Sequence, residues 1–301
     1  MALIDIQHLT KDYGDGRGIF DLNLSMEKGE VFGFVGTNGS GKTTTIRHLM
    51  GFLKPQSGSA TINGLDCWKD SAEIKKWIGY IPGEIAFPDA PTGTDFLKKQ
   101  AELLGLKDMS YAESIINKLQ LDPTAKLKRM SKGMKQKTAI VAAFMANTDI
   151  LILDEPTTGL DPLMRKEFIS ILDEEKKKGK TILMSSHMFD EVEKVCDRVA
   201  MIKEGKMIAV KVTEEVKHHK EKVYKIEFRS QEDYLKFLSE PFDFVETRES
   251  QNQVIIKIHD SQINMLFKTL NNYAIKFMTE MKLTLERYFQ SLDERGKSNA
   301  E

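Results

Sequence analysis

Along the first two-thirds of the chain, short apolar runs alternate with stretches whose apolar positions recur every three or four residues. That alternation predicts a mostly parallel sheet covered by helices. Val31 to Val35, Ile150 to Leu153 and Thr181 to Met184 carry little polar interruption, the pattern of strands buried on both faces. Each runs at once into polar residues. Ligands of open α/β sheets collect beyond the carboxyl ends of the strands, so the polar segments after these three are expected to meet. Between about Pro88 and Asn147 the strand pattern stops. TDFLKKQAELLG and YAESIINKLQL have helical periodicity there and predict an inserted helical subdomain, before the sheet resumes at Ile150.

From about Thr213 the pattern changes. The charged stretch TEEVKHHKEK reads as a linker over 213–222, closing a domain over 1–212. Tyr224, Ile226 and Phe228 then alternate with polar neighbours, as do Val254, Ile256 and Ile258, the mark of half-buried strands. Ile263, Leu266, Phe267 and Leu270 form one helical face, and Leu285, Tyr288, Phe289 and Leu292 another. With a helix near Tyr234 to Leu238, a strand near Phe242 to Val245 and another from Ile275 to Met281, the order is β-α-β-β-α-β plus a last helix. The expectation is a small α+β domain of ferredoxin-like type over 223–295, with a tail at 296–301.

Composition narrows the function classes. With 301 residues and 41% hydrophobic content, the chain can bury a substantial core. Lys and Arg number 44 against 45 Asp and Glu, a net charge of -1 that gives no electrostatic footprint for nucleic acid, and none is expected as a partner. Cys67 and Cys196 lie far apart and in no metal-ligand spacing, which suits reduced thiols of a cytosolic protein. The N-terminal MALIDIQHLTKDYG reaches charge too early for a signal peptide, and no run approaches the roughly 18 apolar residues of a spanning helix. A membrane, if involved, would be crossed by a partner. The lysines at 176, 177, 178 and 180 close a helix, where cations suit the dipole, and read as a solvated face.

Candidate chemistry begins after the first buried strand. Gly36, Thr37, Asn38, Gly39, Ser40, Gly41, Lys42 and Thr43 fit G-x-x-x-x-G-K-[ST] between that strand and a helix bearing Ile46, Leu49 and Met50, with Thr44 next in line. Glycines let backbone N–H groups turn toward phosphates, Lys42 reaches the β/γ oxygens, and Thr43 offers a hydroxyl to Mg²⁺. After the second strand come Asp154 and Glu155. Paired with the loop they suit Mg²⁺ binding and activation of water, although a polar strand end before Pro156 would carry acids too. His187 follows the third strand, positioned to donate a hydrogen bond to a γ-phosphate.

Between these motifs, Met130-Ser131-Lys132-Gly133-Met134-Lys135-Gln136 resembles the LSGGQ signature of ABC ATPases, in the SKGM form of drug and antibiotic exporters. Ser131 is equally a good N-cap for the helix that follows, and the two roles are compatible. The resemblance spans about residues 2 to 212 and implies further roles. Tyr13 takes the adenine-stacking position, and Gly159-Leu160-Asp161 the loop that meets a second subunit. The helical insert takes the place that docks on a separately encoded permease. ATP would then lie between Lys42 of one copy and Ser131 with Gly133 of another, in a homodimer held at the inner face of the membrane by its permease. One departure is plain: Ile81-Pro82-Gly83-Glu84 has glycine where the family has the Q-loop glutamine.

Overall fold

The computed structural model describes residues 2–217, 220–281 and 284–289. They divide into two compact units at Thr213 and Glu214. The strands of the first unit are β1 (Ile4–Asp12), β2 (Gly18–Met26), β3 (Val31–Val35), β4 (Ser57–Ile62), β5 (Leu65–Asp66), β6 (Ile78–Ile81), β7 (Ile150–Asp154), β8 (Thr181–Ser186), β9 (Arg198–Lys203) and β10 (Lys206–Val212). Six build one sheet in the order β10-β9-β3-β8-β7-β6, parallel except for the β9–β10 pair. β3, β7 and β8 are buried at every position, as their unbroken apolar runs require.

Register decides where the site lies. β8 sits between β3 and β7, with Val35 opposite Ser186 and Asp154 opposite Ser185, so the three polar segments leave the sheet side by side.

A second, antiparallel sheet, β2-β1-β4-β5, was not foreseen from the sequence. Its strands bury one face only, with Ile4, Ile6, Leu22 and Leu24 inward and polar neighbours outward. One core joins both sheets through the helix Lys42–Leu49: Ile46 and Leu49 pack with Ile4, Leu22, Phe32, Ile152 and Leu183.

The insert holds the helices Gly93–Leu103, Ser110–Lys118 and Lys132–Phe144. Their starts follow from local chemistry. Thr92 Oγ1 accepts from Asp95 N at 3.1 Å and Ser131 Oγ from Met134 N at 3.2 Å, each satisfying an orphan donor of a helix N-terminus. After β7, Asp161 caps the helix Pro162–Lys177, which has proline at its first position and stops before Gly179, φ 81°. Two ties hold the helix Ser110–Lys118 to it. Lys118 Nζ meets Glu174 Oε2 at 2.6 Å, and Lys178 Nζ lies 4.8 Å above the Tyr111 ring.

The second unit has the strands β11 (Glu221–Phe228), β12 (Asp243–Arg248), β13 (Gln253–His259) and β14 (Ile275–Glu280), with the helix Gln231–Phe237 after β11 and Ile263–Leu270 after β13. The sheet order is β12-β13-β11-β14, antiparallel throughout. Ile226, Phe228, Val254, Ile256, Ile258, Leu266 and Leu270 form its core, with Phe237 stacked on Phe242 at 5.5 Å.

The span read as a linker is shorter than expected: Thr213–Lys217 is a helical turn, and β11 opens at Glu221 because that residue pairs with His259 in the ladder. Residues 285–289 are helical and Leu285 is buried. His218, His219, Leu292 and the tail at 296–301 lie outside the described residues.

Candidate active site

Beyond β3 the chain turns through Gly36 to Gly41 and enters the helix Lys42–Leu49. Two glycines make the turn possible. A Cβ on Gly36 would stand 2.3 Å from the Ile202 carbonyl oxygen, and Gly41, at φ 112°, caps the helix in a conformation L side chains rarely adopt. Thr37, Asn38 and Gly39 are exposed, while Ser40 is buried with its hydroxyl unpartnered. Lys42 folds under the loop: Nζ donates to Gly36 O at 2.7 Å and Thr37 O at 3.3 Å, and lies 3.2 Å from Glu155 Oε1. Thr44 O accepts from the buried His48 ring at 2.7 Å.

β7 delivers the two carboxylates, and Ser185 on the neighbouring strand positions both. Ser185 Oγ donates to Asp154 Oδ1 at 2.5 Å and accepts from Glu155 N at 3.0 Å. Asp154 is fully buried, and burial pushes its carboxyl above the usual range despite the Ser185 and Thr43 hydroxyls that favour the anion. Its second oxygen, Oδ2, has no hydrogen-bond partner. A Cβ on Gly83 would lie 2.8 Å from that oxygen and 3.7 Å from Thr43 Oγ1, so the position where the family carries glutamine is beside the Asp154–Thr43 pair. A buried carboxylate oxygen left unpaired next to a hydroxyl fits a hard cation such as Mg²⁺, which takes few protein ligands and completes its shell with substrate oxygens.

Glu155 adopts φ 49°, a left-handed backbone that glycine would take at less cost. His187 Nδ1 stands 2.6 Å from Glu155 Oε2. A carboxylate only accepts, so this contact assigns the proton to Nδ1. Lys42, Glu155 and His187 thus form one chain of contacts across the ends of β3, β7 and β8.

Three buried side chains to which sequence analysis gave no role hold the turn after Glu155. Gln136 Nε2 donates to Pro156 O at 2.7 Å, and Thr157 Oγ1 donates to Glu191 Oε2 at 2.7 Å. The sequence did carry a sign of Glu191. On the helix Phe189–Val195 it falls with Val192 and Val195 on the buried side, an acid among apolar positions.

The remaining candidates gather elsewhere. Ser131 caps its helix, and a Cβ on Gly133 would lie 2.8 Å from Gly159 O, so the signature segment abuts the Gly159–Asp161 loop. Asp161 Oδ1 accepts from Leu163 N and Met164 N at 3.0 Å each, and those backbone donors hold its carboxyl below the usual range. Among the described residues, Ser131 is not a partner of Lys42. Tyr13 is half exposed, with Lys11 Nζ 5.8 Å from its ring.

Comparison with known proteins agrees with this geometry. The ABC transporter family pattern matches residues 19–158. The bacitracin transport ATP-binding protein BcrA of Bacillus licheniformis is 32% identical over 299 residues, covering 97% of each chain. The chain belongs to the ABC transporter ATP-binding family. The linearmycin resistance ATP-binding protein LnrL of Bacillus subtilis (strain 168) is another ABC relative, 34% identical over 69% of this chain and 68% of its own. Among solved structures, an ATP-binding subunit of an ABC transporter superposes with TM-score 0.65 at 29% identity, over 71% of this chain and 92% of that one. The doubly sheeted fold with its helical insert is therefore an ABC ATPase fold, a domain that binds nucleotide.

Proposed function

We propose that this chain binds MgATP on residues 36 to 44 and hydrolyses it, with Glu155 as general base, to drive a separately encoded permease. The contact chain Lys42–Glu155–His187 carries the proposal, because it joins a phosphate-binding lysine to an acid and a histidine within hydrogen-bond reach. Backbone N–H groups of the loop and the helix behind it favour phosphate, and the buried Lys42 ammonium offsets its charge. Thr43 and Asp154 would hold Mg²⁺, whose bound charge polarises the phosphoryl oxygens. Glu155, its backbone pinned by Ser185, orients a water and takes its proton. His187, held by Glu155 through Nδ1, would hydrogen-bond a phosphate oxygen from the end of β8.

Ser131, Gly133 and Asp161 are proposed to act on a nucleotide held by a second copy, with Tyr13 stacking on the adenine of its own chain's nucleotide. The names of the relatives, bacitracin transport and linearmycin resistance, support export at a cell membrane, with the chain held at its inner face. A groove of ≈ 260 Å³ between β6 and the insert, lined by Tyr80, Pro82, Phe87, Phe96 and Leu104, suits docking of an apolar permease segment. We read the second unit as a ferredoxin-like accessory domain that stabilises the dimer.

Gly83 favours a rival reading, a scaffold that binds ATP without turnover. One experiment separates them. Glu155→Gln should lower ATP turnover at least about 100-fold while keeping ATP and forming a stable dimer in sedimentation. A wild-type chain no faster than this variant supports the scaffold.

A further inference from the structure

Glu191 is a carboxylate with no role in the hydrolysis described above, yet it is 3% exposed and lies between two loops of the site. Thr157 Oγ1 donates to its Oε2 at 2.7 Å, and Ser186 Oγ donates to the same oxygen at 3.3 Å. Thr157 stands two residues after Glu155, and Ser186 immediately precedes His187. The other oxygen, Oε1, has no partner.

Burying a carboxyl with half its acceptors unused is costly. Burial pushes the Glu191 carboxyl up, against the Thr157 hydroxyl and Arg165. What the residue gives in return is geometric. Glu155 is strained at φ 49°, and such a conformation persists only when its surroundings over-determine it. Ser185 holds Glu155 N, Thr158 N holds Glu155 O, and Gln136 holds Pro156 O. The Thr157 side chain completes the set, and its link to Glu191 runs on to Ser186, beside His187. Ser186 is itself fixed there, accepting from Met188 N at 2.9 Å.

We infer that Glu191 is a positioning residue for hydrolysis: by gripping Thr157 and Ser186 through one oxygen, it sets the Glu155 turn and the His187 loop at their working separation. The inference rests on the reading of Glu155 and His187 as the hydrolytic pair. It assigns Glu191 no contact with nucleotide or water. An amide keeps an oxygen for both hydroxyls, so Glu191→Gln conserves the grip, whereas Glu191→Ala and Thr157→Val break it.

The test is steady-state ATP turnover of the full chain, with melting temperature and ATP affinity measured on each variant. Glu191→Ala and Thr157→Val should each lower kcat about tenfold or more with KM within about twofold, the signature of misplaced reacting groups rather than lost binding. Their double variant should be no slower than Glu191→Ala by more than about twofold, because both remove one link. Glu191→Gln should stay within about threefold of wild type. Should Glu191→Ala melt too low to assay, Thr157→Val and Glu191→Gln carry the comparison. A folded Glu191→Ala or Thr157→Val with near-normal kcat overturns the role, as does a Glu191→Gln as slow as the alanine variant. If wild type is no faster than Glu155→Gln, the hydrolytic reading falls and the positioning role with it, an outcome distinct from an active wild type indifferent to Glu191.

Discussion

Asp154 faces two demands at once. Folding would have it neutral, since burial opposes its charge, whereas Mg²⁺ would have it ionised with Oδ2 free. A carboxyl whose folded pKa is raised favours the fold below its unfolded pKa, about 3.9 for aspartate, and that advantage is lost as pH rises through the folded value. At neutral pH the ionised side chain therefore weakens the nucleotide-free fold. Asp154→Asn should raise Tm without nucleotide by about 2–4 °C at pH 7, with the gain shrinking on acidification, while Mg²⁺-dependent ATP turnover is lost. Thermal melts across pH check the first half. Ser185→Ala should act in the opposite direction, leaving Asp154 Oδ1 and Glu155 N without their shared hydroxyl at a cost of about 1–3 kcal/mol, seen in chemical denaturation. The three loop motifs were legible because each lies in consecutive residues at the end of an apolar run. Ser185 was not, because its importance comes from what folding sets opposite it: Ser185 faces Asp154 only through the β7–β8 register.

Helix-to-helix ties show what a charge run can conceal. The lysines at 176, 177, 178 and 180 looked like a solvated face, yet each has a carboxylate partner, and Lys180 is itself buried. Glu175, 1% exposed, meets Lys178 through Oε1 at 2.7 Å and Lys180 through Oε2 at 2.6 Å. Burial alone would raise its carboxyl, but the two ammonium groups and Tyr111 outweigh it and hold the value below that of an ordinary glutamate. A depressed folded pKa contributes stability above the unfolded value, about 4.3 for glutamate, and loses it as pH falls through the folded one. Glu175→Gln should thus cost about 3 kcal/mol near neutrality and progressively less in acid, measured by denaturation at several pH values. The antiparallel sheet escaped the sequence for a related reason. β1 and β2 pair with register shifts between Ile6 and Leu9 and between Leu9 and Lys11, which break strict alternation. The parallel strands β3, β7 and β8, buried at every position, have no such pattern to lose.

At the scale of the whole chain, each unit has its own core, and the change of periodicity near Thr213 was visible because the second unit's sheet is half-buried while the central strands of the first unit's main sheet are buried on both faces. A chain ended after Thr213 should fold cooperatively and keep ATP affinity within about threefold, since the nucleotide-binding residues lie before that point. Loss of dimer formation on ATP binding would mark the removed unit as the dimer's support, and sedimentation with and without nucleotide reads this out. Within the first unit the helical insert looks like a module that relatives could exchange, and Lys132–Phe144 looks like part of it. The Gln136 side chain argues otherwise. Proline offers only its carbonyl to a neighbour, and the amide that takes the Pro156 carbonyl comes from this helix. A chimera designed to swap permease specificity should therefore place its downstream splice before Ser131, so that the recipient keeps its own glutamine; a transplant carried through to Phe144 would import a foreign hinge-pin into the catalytic turn.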